Sequence, residues 1–197
     1  ILIAILLIGC NTNKNSFTIE ANTDRVGDAI LLKIDPVESV IDTTSIKNGN
    51  FSFKKTIEEE ELYRLKFHDG SSFDILVDMG EKIEIDYQKD QLSITGSIGT
   101  EKIIDLDNNL LNLMMFRDSI TKELQELSNN EDYEEKVALY REAFFDKLAS
   151  HQEYLKSFIK KNKESKVCLI ALFQNYGQSS PVMTIDEHLE VFEMVLE

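Results

Sequence analysis

The sequence has very few residues of the kinds that make thiol and metal sites. Its 197 residues include two cysteines, Cys10 and Cys168, and three histidines, His68, His151 and His188. The cysteines are too far apart for a Cys-x-x-Cys redox pair or a zinc cluster, and no histidine has a second one at helical ligand spacing. A metal site would therefore have to be assembled wholly by the fold.

Positive charge is also scarce. The chain has 21 basic and 36 acidic residues, a formal net charge of -15. Such a charge repels phosphate backbones and anionic lipid headgroups, so nucleic acid is excluded as an expected partner. The acidic run Glu58–Glu61 indicates an exposed, solvated turn in preference to a cation site.

No hydrophobic run is long enough to cross a membrane. Residues 1–8 are all apolar, but a bilayer-spanning helix needs about 20 such residues. The run ends in Leu7-Ile8-Gly9-Cys10, and a polar stretch follows to Ser16. This pattern resembles the lipobox of bacterial lipoprotein signal peptides, in which the cysteine is lipidated on sulfur and becomes the new N-terminus after cleavage.

The lipobox resemblance implies a partial signal peptide at 1–9, a lipidated Cys10 with its tether at 10–16, and a membrane partner reached through the lipid anchor. The initiating Met and the basic region of a complete signal are missing, so we expect the sequence to begin inside the signal. The alternative, an ordinary cysteine beside a buried strand, fits the polar stretch less well. The expected location is the cell envelope, facing the periplasm, with the outer-membrane surface left open.

Motifs of catalysis are lacking as well. There is no Gly-x-Ser-x-Gly elbow, and Gly96 and Gly99 form no phosphate-binding loop. Asp105–Asn109 offers oxygen ligands but lies in helical periodicity. We therefore interpret its negative charge as stabilising a helix N-terminus and not as binding calcium. Cys168 and His151 lie on apolar helical stripes and are interpreted as core residues. We predict no catalytic residue, no cofactor and no metal site.

Residues 17–97 show the alternation of half-buried strands, as in Phe51-Ser52-Phe53 and Ile83-Glu84-Ile85. Turn signals recur every ten to fifteen residues or so, including Asn48-Gly49 and Met79-Gly80. Seven or eight short strands with one apolar face each must bury that face. An antiparallel β-sandwich is therefore predicted.

From residue 98 the apolar spacing changes to threes and fours, which predicts about four α-helices and an α+β fold class. We expect two long helices in a hairpin, a third capped by Ser165 and apolar nearly all round, and a fourth that begins at Thr184. The helical region 98–197 is expected to pack on the sandwich. Because no stop signal precedes Glu197, the native chain is expected to continue.

The order of the β motifs resembles an N-terminal domain family found in cell-envelope lipoproteins of bacteroidete-type bacteria. The matching segments are Phe17–Glu20, Ala29–Leu32, Val40–Thr44, Asn48–Phe53, Tyr63–Leu65, Phe73–Ile85 and Ile94–Ser97. In that family the domain has no assigned activity and commonly precedes a thioredoxin-like domain of the thiol-disulfide interchange or peroxiredoxin-like type. The resemblance carries no catalytic residue onto this chain.

Three functions follow as hypotheses. The first is a non-catalytic accessory module that holds a downstream thioredoxin-like oxidoreductase away from the membrane and orients or selects its protein clients. The second is a stand-alone lipoprotein that binds a protein, peptide or glycan on the sandwich surface or in a cleft. The third, an independent enzyme, would need dispersed His and Cys residues to converge on folding.

Overall fold

The computed structural model of the protein describes residues 15–35, 37–177 and 180–196, with side chains as far as residue 193. Within these ranges the chain forms eight strands followed by four helices, which confirms the predicted α+β class. It divides into two compact units, the first ending at Thr100 and the second beginning at Glu101. The predicted lipidation site, Cys10, lies outside the described residues.

The strands follow the predicted alternation closely. Their bounds are β1 Ser16–Thr23, β2 Asp28–Ile34, β3 Glu38–Ser45, β4 Asn50–Thr56, β5 Glu61–Phe67, β6 Ser72–Val77, β7 Lys82–Gln88 and β8 Gln91–Thr95. β1 begins at Ser16, a residue that was predicted to belong to the tether. Glu61, expected in an exposed turn, is instead the buried first residue of β5, and the Lys33 ammonium lies 2.9 Å from its carboxylate.

The strands form two four-stranded sheets. Sheet A has the order β4-β1-β7-β8 and sheet B the order β3-β2-β5-β6. All neighbours are antiparallel except β1 and β7, which run parallel with Ile19 opposite Ile83. This pair departs from the predicted antiparallel pattern because β2–β6 lie between its members in the chain, so no hairpin sets their relative direction.

The inward-facing residues of both sheets form one apolar core. The fully buried aromatic rings are supplied by β1 and β5, where Phe17 lies 5.4 Å from Tyr63 between ring centroids. Seven of the eight strands contribute to this cluster, whereas β3 is exposed along most of its length. Burying one face of each sheet against the other is the reason the alternation is so regular.

The end of β8 joins the first helix through a tightly fitted junction. The hydroxyl of Thr100 accepts the backbone N–H of Leu76 at 3.1 Å, and the hydroxyl of Ser97 donates to the Leu76 carbonyl at 2.6 Å. Leu76 lies on β6, at the edge of sheet B. The two buried hydroxyls therefore satisfy backbone groups that an edge strand would otherwise leave unpaired.

The helices are α1 Ile98–Glu126, α2 Tyr133–Lys161, α3 Val167–Leu172 and α4 Ile185–Leu196. Tyr140 donates a hydrogen bond to Glu123, and Tyr154 donates to Asp105 at 2.7 Å. Late α1 thus faces early α2, which is the predicted antiparallel hairpin. In the part of the chain that the structure describes, no helix is long and apolar enough to span a bilayer.

The third and fourth helices test two predicted helix starts. The Ser165 hydroxyl accepts the Val167 N–H at 3.3 Å, close to the expected cap. The prediction that this helix is apolar and central is wrong in part, because Leu169 is 52% exposed. At α4, Thr184 and Glu187 form a reciprocal capping box, so the predicted start at Thr184 is confirmed.

Candidate functional site

An open groove with a volume of about 1170 Å³ lies on the outer face of sheet A. Its floor consists of outward-facing residues of the four strands, and its wall comes from the end of β3 and the turn that follows. We call it the sheet A groove. Its polar side chains are chiefly those of Glu20, Asn22, Thr43, Lys47, Asn50, Ser52, Glu84, Asp86, Ser93 and Thr95.

The strand register arranges the floor in rows across the sheet. One row runs Ser52, Glu20, Glu84, Thr95. The next runs Asn50, Asn22, Asp86, Ser93. All eight side chains are exposed, because their strand neighbours fill the core on the opposite face.

Glu20 and Glu84 are direct neighbours on β1 and β7, and Asp86 lies two residues beyond Glu84 on the same face. Like charges on adjacent strands destabilise a sheet unless they are compensated. None of the three carboxylates makes an ion pair within the described ranges of the chain. Lys54 and Lys82 flank Thr18 in the next row, so the face is basic at one end and acidic in the groove.

Amide side chains hold one side of the groove in place. The Asn22 side chain donates to Asn50 at 3.1 Å and accepts a hydrogen bond from Gln88. Asn50 in turn donates to the Asn48 carbonyl at 2.9 Å. This network ties the floor to the β3–β4 turn, where Asn48 and Gly49 both have positive φ. The groove is thus bounded by a turn of fixed shape.

The residues singled out from the sequence do not meet in this groove. His68 follows β5 in an exposed turn, whereas His151 and His188 lie on α2 and α4. Cys168 is buried on α3, and its thiol donates to the Asn162 carbonyl at 2.7 Å. Over the residues the structure describes, no three His, Cys, Asp or Glu side chains cluster closely enough to hold a metal ion.

Asp105 has a different role from the one expected. It lies beyond the first turn of α1, whose acidic residue is Glu101, so a helix N-terminal charge does not explain it. Its carboxylate instead accepts the hydroxyl of Tyr154 at 2.7 Å. Partial burial and this hydrogen bond raise the pKa of Tyr154 well above its usual range. Asp105 therefore links the two long helices.

The groove could not be located from the sequence, although its residues follow a recognisable pattern. Glu20 and Glu84 occupy the polar positions of two alternating strands, and alternation was recognised in both. Nothing in the sequence showed that these strands are neighbours, because they pair in parallel across five intervening strands. The predicted binding on a sandwich surface had no residues assigned to it.

The β-strand region of the chain is similar to a known sequence family. Residues 17–103 match the sequence profile of a family described as a Domain of unknown function (DUF4369). The match runs from the second residue of β1 through β8 and into the start of α1. No curated protein matches the chain. The sandwich is therefore similar to a domain whose activity has not been assigned.

Proposed function

We propose that this chain is a non-catalytic binding module of a lipid-anchored cell-envelope lipoprotein, and that the sheet A groove is its contact surface for a protein partner. The observation that carries the proposal is the groove itself. It is an open, largely polar groove with a volume of about 1170 Å³ on the outer face of sheet A. A surface of that size suits a protein segment better than a small substrate, which is usually enclosed.

The charge of the groove favours a partner with basic groups. Glu20, Glu84 and Asp86 project from neighbouring rows, and none of them is neutralised by an ion pair within the described part of the chain. Complementary charge accelerates encounter and orients the partner, even where it adds little to affinity. The adjacent Lys54 and Lys82 would set the direction in which such a partner lies.

The side chains capable of chemistry are engaged in packing, which supports a binding role. The Cys168 thiol is bonded to a backbone carbonyl in the helical unit. His151 is buried and bonded to Gln174 at 3.0 Å. Neither side chain lines the groove.

We further propose that Cys10 carries the lipid anchor and that a thioredoxin-like domain follows Glu197 in the native protein. The first is supported by the apolar run that ends in Gly9-Cys10. The second is supported by the resemblance of the sandwich motifs to domains that precede such enzymes. Mass spectrometry of the membrane fraction tests the anchor, and reading the gene past Glu197 tests the second domain.

Site-specific photo-crosslinking of the full-length protein in its native envelope tests the binding role. A photoreactive residue is placed at Ser52 or at Thr95, which lie at opposite ends of one groove row. The matched control is Lys66, which is exposed on the outer face of sheet B. We expect the same partner from both groove positions and none from Lys66.

A triple variant, Glu20→Gln, Glu84→Gln and Asp86→Asn, sharpens the crosslinking test. It removes the groove's negative charge while keeping side-chain size, and it relieves repulsion within the sheet, so the fold is retained. The crosslinks should weaken several-fold, and more so at low salt, where charge contributes most. Equal labelling from groove and control positions would overturn the proposed surface.

A further inference from the structure

A buried polar connection joins three segments of the helical unit. The imidazole Nε2 of His151 on α2 lies 3.0 Å from the side-chain oxygen of Gln174, which follows α3. The Gln174 amide nitrogen donates to the Leu106 carbonyl of α1 at 3.2 Å. His151 and Gln174 are 7% and 6% exposed. We call this connection the His151–Gln174 latch.

The geometry determines where His151 carries its proton. Because the Gln174 amide nitrogen donates to Leu106, its oxygen must face the imidazole, and an amide oxygen only accepts. His151 Nε2 is therefore the donor. In the neutral ring Nδ1 is then unprotonated, and any further proton is taken up there.

A small cavity adjoins the imidazole. It has a volume of about 150 Å³ and is lined by His151, by Asn109, Asn112 and Leu113 of α1, and by Lys147, Ser150 and Tyr154 of α2. The Tyr154 ring stacks on the imidazole with centroids 5.8 Å apart. A protonated imidazole is less well solvated in this confined cavity than in bulk water.

The charges that face His151 disfavour a second proton. Lys147 on α2 is positive, whereas the carboxylate of Asp105 on α1 is engaged by the Tyr154 hydroxyl. Gln174, from the third segment, is neutral. Burial lowers the pKa of His151, the Gln174 hydrogen bond opposes that effect, and Lys147 adds to it.

We propose that the His151–Gln174 latch is a pH-sensitive device that holds the segment after α3 against α1 and α2 when His151 is neutral and releases it in mild acid. Protonation strengthens the single bond to Gln174, but the buried imidazolium gains more by reaching water. Gln174 then loses its partner, and the segment around it opens.

The direction of the pH effect follows from the linkage between proton binding and opening of the latch. The lowered pKa means that the open form binds the proton more tightly than the closed form. The latch is fully stable above the ordinary histidine pKa of 6.5, weakens as pH falls through that value, and levels off below the pKa of the closed state. Within this window the open population rises by up to about tenfold for each pH unit.

Amide hydrogen exchange of the purified 197-residue chain, corrected for the intrinsic pH dependence of exchange, tests the latch. We expect protection of the peptide covering residues 170–177 to fall between pH 7.5 and pH 5.5. In His151→Gln, which cannot take up a proton, the corrected protection should not change with pH. His68→Gln serves as a matched control and should behave like the wild type.

His188 provides a second comparison, because its ring nitrogens lie 2.8 Å from the Thr184 carbonyl and 3.0 Å from the Leu172 carbonyl. These contacts lie outside the His151–Gln174 latch, so His188→Gln should keep the pH effect. Loss of the effect in His188→Gln would overturn the assignment to His151.

A direct titration tests the latch even if His151→Gln does not fold. The three imidazole signals of the wild-type chain can be followed by NMR and assigned with the His68 and His188 variants. The proposal requires the remaining signal, that of His151, to titrate below the ordinary histidine value. Titration at or above 6.5, or unchanged protection in mild acid, would overturn it.

Discussion

The guanidinium carbon of Arg25 lies 4.5 Å from the centroid of the Tyr87 ring. Arg25 follows β1, and its guanidinium also forms ion pairs with Asp69, at 3.3 Å, and with Asp90. Asp69 belongs to the β5–β6 turn of sheet B, and Asp90 belongs to the β7–β8 turn of sheet A. One side chain thus joins three connections at one end of the sandwich.

Replacing Arg25 should therefore destabilise the sandwich unit more than replacing an isolated surface arginine. Arg25→Ala loses both the ring contact and the ion pairs, whereas Arg25→Lys keeps the charge but not the planar fork. We expect unfolding midpoints in the order wild type, Lys, Ala. Arg141→Ala, at an exposed position of α2, is the control, and an equal effect there would contradict the role of Arg25.

Gly96 should tolerate no side chain. Its φ is +82°, and a Cβ would lie 2.0 Å from the Lys82 carbonyl oxygen. Gly70 has φ +89° but open space around it. Gly70→Ala should cost about 1–2 kcal/mol for the left-handed backbone alone, and Gly96→Ala about 1–3 kcal/mol more for overpacking. Urea unfolding compares the two; equal losses would show that the junction can relax.

The hydroxyl of Thr100 should contribute to the stability of the sandwich unit. Thr100→Val keeps the shape but removes the acceptor of the buried Leu76 N–H, which should lower the free energy of unfolding by about 1–3 kcal/mol. Thr95→Val changes an exposed hydroxyl on β8 and should be nearly neutral. Denaturant titration of both variants checks the difference. Similar stabilities would mean that water or another group replaces the Thr100 oxygen.

The start of α4 should depend on pH. Burial would raise the pKa of Glu187, but hydrogen bonds from Thr184 and the charge of Lys156 lower it below its ordinary value of 4.5. The lowered value means that this stabilisation is present above pH 4.5 and is lost as pH falls through the folded-state pKa. Hydrogen exchange in α4 should show the loss.

Thr184→Ala tests the capping box from its other side. Removing the cap should destabilise α4 by about 1 kcal/mol and reduce the acid dependence of its protection. Thr121→Ala, on the exposed surface of α1, is the control for loss of a threonine. An acid response that is unchanged in Thr184→Ala would assign the effect to another carboxylate.

Cys168 should be protected from modification in the native chain. Its side chain is 7% exposed and its thiol is bonded to a carbonyl, so reagent reaches it only after opening. In a Cys10→Ser background we expect slow alkylation in buffer and rapid alkylation in urea. The same protein should reduce no disulfide substrate. Turnover that disappears in Cys168→Ala would contradict a non-catalytic module.

Much of the fold could be read from local pattern. The alternation around Phe51-Ser52-Phe53 predicted strands, and the change of period after Gly96 predicted helices, because each pattern reflects which face of an element is buried. Thr184 followed by Glu187 is a capping signal within four residues. Interactions between residues this close in sequence can be predicted without a structure.

Other features were decided by tertiary structure. Lys89 and Asp90 both have positive φ at the β7–β8 turn, without the Gly or Asn that usually marks such a turn. Their conformation is held from a distance, since Asp24 accepts the Lys89 N–H at 2.8 Å and Arg25 pairs with Asp90. Tertiary structure likewise places Glu61 in a buried strand and not in an exposed acidic turn. Lys33 compensates its charge there.

The sequence by itself determined which residues face the core and which face solvent on β1 and β7, because that alternation is a property of each strand alone. It could not determine that the two strands are parallel neighbours, which brings Glu20 beside Glu84 and makes the sheet A groove. The sequence also could not show that Gln174 contacts His151. Both arrangements depend on contacts between residues far apart in the chain, whose partners are chosen by packing of the whole unit and not by local backbone preference.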